Sequence, residues 1–209
     1  MMMLSEAELA FKIILILIYC IFSIIRIRYQ LRARKAGLIT VISESRKYSI
    51  LLSVFICYEV ITLFLFLLYP ESLDFAALPL PLWLQILGVI IGIAALLLFV
   101  WVHRHLGKNF SINLKISNKQ QLVDTGPYRR VRHPMYTAFY LLHIAAFLIT
   151  ANWFIGITWI AGLTIIIFLR IGREEKMMLG IFGNRYRSYM RRTGRFLPKM
   201  AFGFKPEAK

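Results

Sequence analysis

Residues 133–169 read HPMYTAFYLLHIAAFLITANWFIGITWIAGLTIIIFL and lie between Arg132 and Arg170. They contain no Lys, Arg, Asp or Glu. An uncharged apolar run of about 18 residues already suffices to cross a bilayer. As a single helix this one would extend about 55 Å at 1.5 Å per residue, against a hydrocarbon core of about 30 Å. It therefore reads as two short helices, broken near Thr150-Ala151-Asn152 by a tight hairpin turn with Trp153 at the interface.

Three further spans lie upstream. The first runs from about Leu9 to Ile25, with Lys12 near its outer end. The second runs from about Tyr48 to Leu68 and the third from about Leu80 to Val102. The composition of the 209 residues agrees. Hydrophobic residues make up 59% and charged residues 17%, against roughly 45–50% and 25% in soluble domains. The mean hydropathy is +0.66. These values exclude a water-soluble globule, a disordered chain and a basic nucleic-acid-binding domain. The fold class expected is an all-α polytopic membrane protein of about five transmembrane helices, ending in a C-terminal helical hairpin. Residues 1–103 form an N-terminal unit of three helices. Residues 104–209 form a second region of linker, two helices and a C-terminal segment.

The 26 basic residues outnumber the 10 acidic ones, giving a net charge of +16, and they alternate with the spans. Seven Lys or Arg fall between Arg26 and Lys47, seven between His103 and Arg132, and eleven from Arg170 onward. The Pro70–Pro79 loop and the Thr150–Asn152 turn hold none. By the positive-inside rule this puts the N-terminus outside and the C-terminus in the cytosol. The excess charge is then a topology signal and an attraction to anionic headgroups. The N-terminus has Glu6 and Glu8 rather than a basic head, and reads as a retained first helix, not a signal peptide. These features suit a bacterial or archaeal inner membrane, with the endoplasmic reticulum left open. Gly88 and Gly92 form a small-xxx-small pair for helix packing. Cys20 and Cys57 read as small apolar residues. Glu59, in mid-span, reads as a costly carboxylate that pairs with a neighbouring helix, stays protonated or touches substrate.

The outer loops are short, so chemistry belongs to the membrane or its basic side. Pro134 suits the first turn of the fourth span. That turn, with Arg132, His133 and Tyr136, can hold a carboxylate or phosphate. Arg129 and Arg130 read as headgroup anchors. Arg170 and Glu174 stand at i, i+4 on one helix face, beside Glu175. An anion site and a cation site together fit a zwitterionic cofactor with an amino-acid moiety. The four His residues form no metal motif, so no metal is expected.

Leu122-Val123, Gly126-Pro127-Tyr128, Arg132-His133-Pro134-Met135-Tyr136, Glu174-Glu175 and Phe182-Gly183-Asn184-Arg185-Tyr186, followed by Tyr189 and Pro198, resemble in order and spacing the isoprenylcysteine carboxyl methyltransferase family. The resemblance covers roughly Asn109 to Pro198. It implies an integral membrane methyltransferase that uses S-adenosyl-L-methionine in a cytosolic pocket and takes a lipophilic substrate from the bilayer. Residue by residue, it implies that Gln120, Gln121, Leu122 and Val123 line the cofactor site. Tyr128, His133, Pro134, Met135 and Tyr136 would hold the cofactor, Glu174 would meet its amino-acid end, and Arg170 would meet the substrate carboxylate. Tyr186 and Tyr189 would close the pocket or pack the C-terminal segment. The expected reaction is carboxyl O-methylation of an isoprenylcysteine-like substrate. Phospholipid N-methylation, thiol S-methylation, an NADPH-dependent sterol-type reductase and a non-enzymatic scaffold are the competing readings.

Overall fold

The computed structural model describes residues 6–35, 46–106 and 122–199. They form six α-helices: α1 (Glu6–Lys35), α2 (Arg46–Leu68), α3 (Leu82–Leu106), α4 (Pro134–Thr150), α5 (Trp153–Phe182) and α6 (Asn184–Arg192). Short 3-10 helices cover Pro70–Ala76 and Gly126–Arg129. The fold is all-α, as expected. Helices α1, α2, α3 and α5 are long and apolar enough to cross a membrane. At 17 residues α4 is shorter, about 25 Å, the lower limit for a span.

The 133–169 stretch breaks where its sequence predicts. Ala151 has φ +46°, the left-handed conformation that ends α4. Asn152 then caps α5 by accepting a hydrogen bond from Ile155 N–H at 3.0 Å. Its amide donates to the Leu73 carbonyl at 3.0 Å, which ties the hairpin to the Pro70–Ala76 loop. One boundary moves. The fifth helix does not stop at Arg170 but continues to Phe182. Nothing interrupts its i→i−4 bonding, and α5 carries Arg170, Glu174 and Glu175 on a rigid extension beyond the apolar run.

Helix α4 is the centre of the bundle, packed between α3, α5 and α1. Gly88 and Gly92 permit the close α3–α4 approach. A Cβ at Gly88 would lie 2.8 Å from the Leu148 Cβ and 3.1 Å from the Ile149 backbone nitrogen. Leu15, Phe99, Ile155 and Trp159 are fully buried in the core. Lys12 is also buried, its ammonium 5.2 Å from the Phe66 ring centre. By contrast α2 packs chiefly on α5 and the Pro70–Ala76 loop, and buries only Tyr48 and Thr62. Its outward Ile, Leu and Val side chains, with those of α1, α3 and α5, make an exposed apolar belt of the kind lipid covers.

At the basic end of the bundle the C-terminal segment folds back. Val131 and Gly194 form a parallel bridge. His133 N–H donates to the Arg195 carbonyl at 2.9 Å, and Arg132 N–H to the Gly194 carbonyl at 2.8 Å. Leu122 packs with Tyr186 and Tyr189 under α6.

Candidate active site

Two adjacent carboxylates organise the basic end. Successive residues on a helix point about 100° apart, so Glu174 and Glu175 face different partners. Glu175 turns into the fold, its side chain 6% exposed. It accepts from Arg132 Nε at 3.1 Å. Arg195 Nη2 donates to its second oxygen at 2.6 Å, and His133 Nε2 lies 3.4 Å from Oε1. Arg132 also donates to the carbonyls of Met190 and Thr193. This network clamps the α5 extension, the start of α4 and the returning C-terminal segment together.

Glu174 faces the bundle interior. Its Oε1 accepts from Arg170 Nε at 2.6 Å and from the Tyr136 hydroxyl at 2.9 Å. Its Oε2 lies 3.6 Å from His133 Nδ1. The His133 and Tyr136 rings stack, with centroids 5.5 Å apart. Nearby, burial pushes the Tyr128 hydroxyl far above the usual phenol range, with Tyr189 and then Glu174 adding to it. Tyr189 donates its hydroxyl to the Tyr128 carbonyl at 2.7 Å and so fixes the Gly126–Arg129 turn. Tyr128 is therefore a neutral donor at pH 7.

His133, Tyr136, Arg170 and Glu174 come together as the sequence predicts, with Tyr128 beside them. Pro134 is buried at the first position of α4 and Met135 is half-buried in the same turn. Val123 is half-buried, and the Leu122 side chain is taken up by the tyrosine rings. Gln120 and Gln121 lie outside the described residues. Tyr186 and Tyr189 are both 2% exposed and pack the C-terminal segment. Arg129 and Arg130 are exposed, as expected of anchors. Arg132 is turned inward instead, because Glu175 is its partner.

From this end a cavity of about 130 Å³ runs into the membrane between α1, α2, α4 and α5. Tyr136 and Arg170 form its top, with Arg26 and Tyr48. Arg26 and Tyr48 are site residues that the sequence did not single out. They come from helices far away in the chain, and a basic or aromatic residue at a helix end ordinarily reads as an interfacial anchor.

The cavity and the paired carboxylates define a class, an intramembrane helical bundle with a polar pocket at its basic end. Residues 83–185, just under half of the chain, match the family model described as phospholipid methyltransferase. The structure of the eukaryotic intramembrane Ras methyltransferase, isoprenylcysteine carboxyl methyltransferase, has the same fold. Its TM-score is 0.53 at 24% identity, covering 79% of this chain and 56% of that one. Methanethiol S-methyltransferase 1 of Bradyrhizobium diazoefficiens is 37% identical over 71 residues, 34% of this chain and 24% of its own length. Methanethiol S-methyltransferase of Pseudomonas deceptionensis is 40% identical over 75 residues, 35% of this chain and 27% of its own length. The match thus spans about a quarter of each of these relatives. The chain is an all-α membrane protein with the fold of the intramembrane Ras methyltransferase, and the stretch from α3 to the end of α5 matches the phospholipid methyltransferase pattern.

Proposed function

We propose that this chain transfers a methyl group from S-adenosylmethionine to a lipophilic acceptor that enters the cavity from the bilayer. The observation that carries the proposal is the half-satisfied Glu174 carboxylate, which stands between the start of α4 and the top of an apolar cavity. Glu174 Oε1 is held by Arg170 and Tyr136, while Oε2 has, among the described residues, only the distant His133 and retains capacity for an ammonium group. The first turn of α4 supplies positive dipole for a carboxylate. Both ends of a zwitterionic amino-acid moiety thus have a complement, so the residues fit the cofactor. Glu174 would meet its ammonium, and Tyr128 and the His133–Tyr136 turn would hold the rest. When bound, S-adenosylmethionine supplies an electrophilic methyl on a sulfonium.

The chain's own residues then orient and exclude water. Arg170 reaches the cavity top, where its guanidinium draws an acceptor carboxylate into line. A carboxylate is ionised at pH 7 and needs no general base. The apolar walls keep water away from the transfer, and proximity provides much of the rate. Carboxyl O-methylation of an isoprenylcysteine-like molecule is the acceptor reading that Arg170 favours. Thiol S-methylation is the second, favoured by the names of the two partial relatives and by a cavity close in size to one that holds benzene.

Calorimetry of S-adenosylmethionine and S-adenosylhomocysteine with the detergent-purified protein tests the first part. Micromolar binding that falls at least about tenfold in Glu174→Gln is expected. No binding at millimolar cofactor to folded protein sinks the reading. Transfer of labelled methyl to an S-prenylated N-acetylcysteine or to an alkanethiol then separates the two acceptors.

A further inference from the structure

The deep end of the cavity is polar, and nothing in the proposed methyl transfer uses it. His143 lies two helical turns below Tyr136 on α4, about 10 Å further into the membrane. Its Nδ1 stands 2.8 Å from the Phe139 carbonyl, and its Nε2 stands 2.7 Å from Glu59 Oε1 on α2. A carbonyl only accepts, so Nδ1 carries a hydrogen. Nε2 and Glu59 then share one more proton, as imidazolium with carboxylate or as imidazole with carboxylic acid. Both forms are neutral as a pair, which is how such groups endure in a bilayer. Only one Glu59 oxygen is engaged among the described residues.

Tyr19 on α1 lines the same cavity. Its ring packs edge-on against Trp159 with centroids 5.9 Å apart. Its hydroxyl is buried and has no hydrogen-bond partner among the described residues. Three nearby polar side chains have partners. Tyr58 donates to Thr158 at 2.6 Å, Trp159 Nε1 to Thr62 at 2.9 Å, and Thr62 to the Tyr58 carbonyl at 2.8 Å. A hydroxyl left unpaired away from water is costly, and here it sits beside the Glu59–His143 pair. The charged or titratable groups that face this floor from above are Arg26, Tyr48, Tyr136 and Arg170. The walls between are Phe and aliphatic side chains.

We propose that Tyr19 and Glu59 form a binding site for a protic group, a hydroxyl or thiol, at the far end of the acceptor. Tyr19 donates to it and the outer oxygen of Glu59 accepts from it. The acceptor is then a bipolar lipophile: one polar end near Arg170, an apolar body, and a protic group about 10 Å deeper. This rests on the cavity being the acceptor site, and it narrows the substrate class.

The test uses the full chain in phosphatidylcholine discs and two probes, 4-butylphenol and butylbenzene, with partition into protein-free discs subtracted. Wild type is expected to bind the phenol about tenfold more tightly than the hydrocarbon, the effect of one buried hydrogen bond. Tyr19→Phe is expected to abolish that preference. It removes no existing hydrogen bond, so folding and S-adenosylmethionine binding should persist. Glu59→Gln should reduce the preference in the same direction. Equal binding of the two probes by wild type, or an undiminished preference in Tyr19→Phe, overturns the proposal. Failure of wild type to bind S-adenosylmethionine instead sinks the methyltransferase reading and leaves the probe result standing.

Discussion

At the scale of the residue, Glu174 and Glu175 are chemically identical neighbours with different tasks. Glu175 is buried under Arg132, His133 and Arg195. Removing one partner of a buried charge cluster leaves the others uncompensated, at a cost of about 3–5 kcal/mol. Glu175→Ala should therefore lower the unfolding midpoint sharply, as thermal denaturation in detergent will report. Glu174 bonds a partly exposed arginine and a tyrosine, and Gln keeps an oxygen to accept from them, so Glu174→Gln should cost only about 1 kcal/mol while weakening cofactor binding. Comparable stability losses in the two variants would contradict the division. Sequence reading singled out both carboxylates, His133 and Tyr136 from local charge and the helix start, and the resemblance named the same blocks. It gave Glu174 the cofactor's amino-acid end as an implied role but gave Glu175 no partner, since Arg132 and Glu175 are 43 positions apart, beyond any local spacing rule.

At the scale of the element, the α4–α5 hairpin rests on two residues. Asn152 caps α5 and also donates to Leu73. Asn152→Ala should destabilise by about 1–2 kcal/mol, seen as a lower thermal midpoint. Ala151 holds a left-handed conformation at φ +46°, which glycine adopts freely, so Ala151→Gly should stabilise the fold by about 1 kcal/mol and raise the midpoint. The α3–α4 seam gives a third expectation. Any larger residue at Gly88 meets the Leu148 side chain and the Ile149 backbone, so Gly88→Leu should abolish folded protein in size-exclusion profiles. The turn and the glycine pair were legible because each needs only local sequence. The run of α5 beyond the Arg170–Glu174 turn to Phe182 was not, because the loss of hydropathy after Arg170 marks the end of the apolar run, not of the helix.

At the scale of the molecule, the C-terminal segment is held by buried tyrosines. Burial, then the Glu175 charge, pushes the Tyr186 hydroxyl up to about 12, and burial also raises Tyr189. An unfolded tyrosine ionises near pH 10. The unfolded chain therefore releases protons first, and the tyrosines' contribution, fully present below about pH 10, is lost as pH rises towards 12. Alkaline titration by circular dichroism should show stability falling across that window, with a shallower slope in Tyr186→Phe. The alternation of basic loops leads to a second whole-chain expectation. A cysteine replacing Ser72 should react with an impermeant thiol reagent from outside, and one replacing Ser188 only after the cytosolic face is opened. The reverse pattern would invert the topology.

What the sequence determined by itself was set by the solvent. A chain with 59% hydrophobic residues, and with all its Lys and Arg but Lys12 in alternate segments between the apolar runs, has helices in a bilayer as its satisfied state, because every backbone group must bond internally there. Helix existence, the hairpin break and the pairing of Arg170 with Glu174 follow from local periodicity and spacing. Tertiary structure alone decided which polar side chains from α1, α2, α4 and α5 share one cavity. Tyr19 and Arg26 on α1, Glu59 on α2 and His143 on α4 come from helices far apart in sequence and with little amphipathic signal. Their meeting depends on the loose seating of α2 beside α5 and on the orientation of each helix about its own axis, which lipid-facing apolar residues on all sides leave unspecified until the bundle packs.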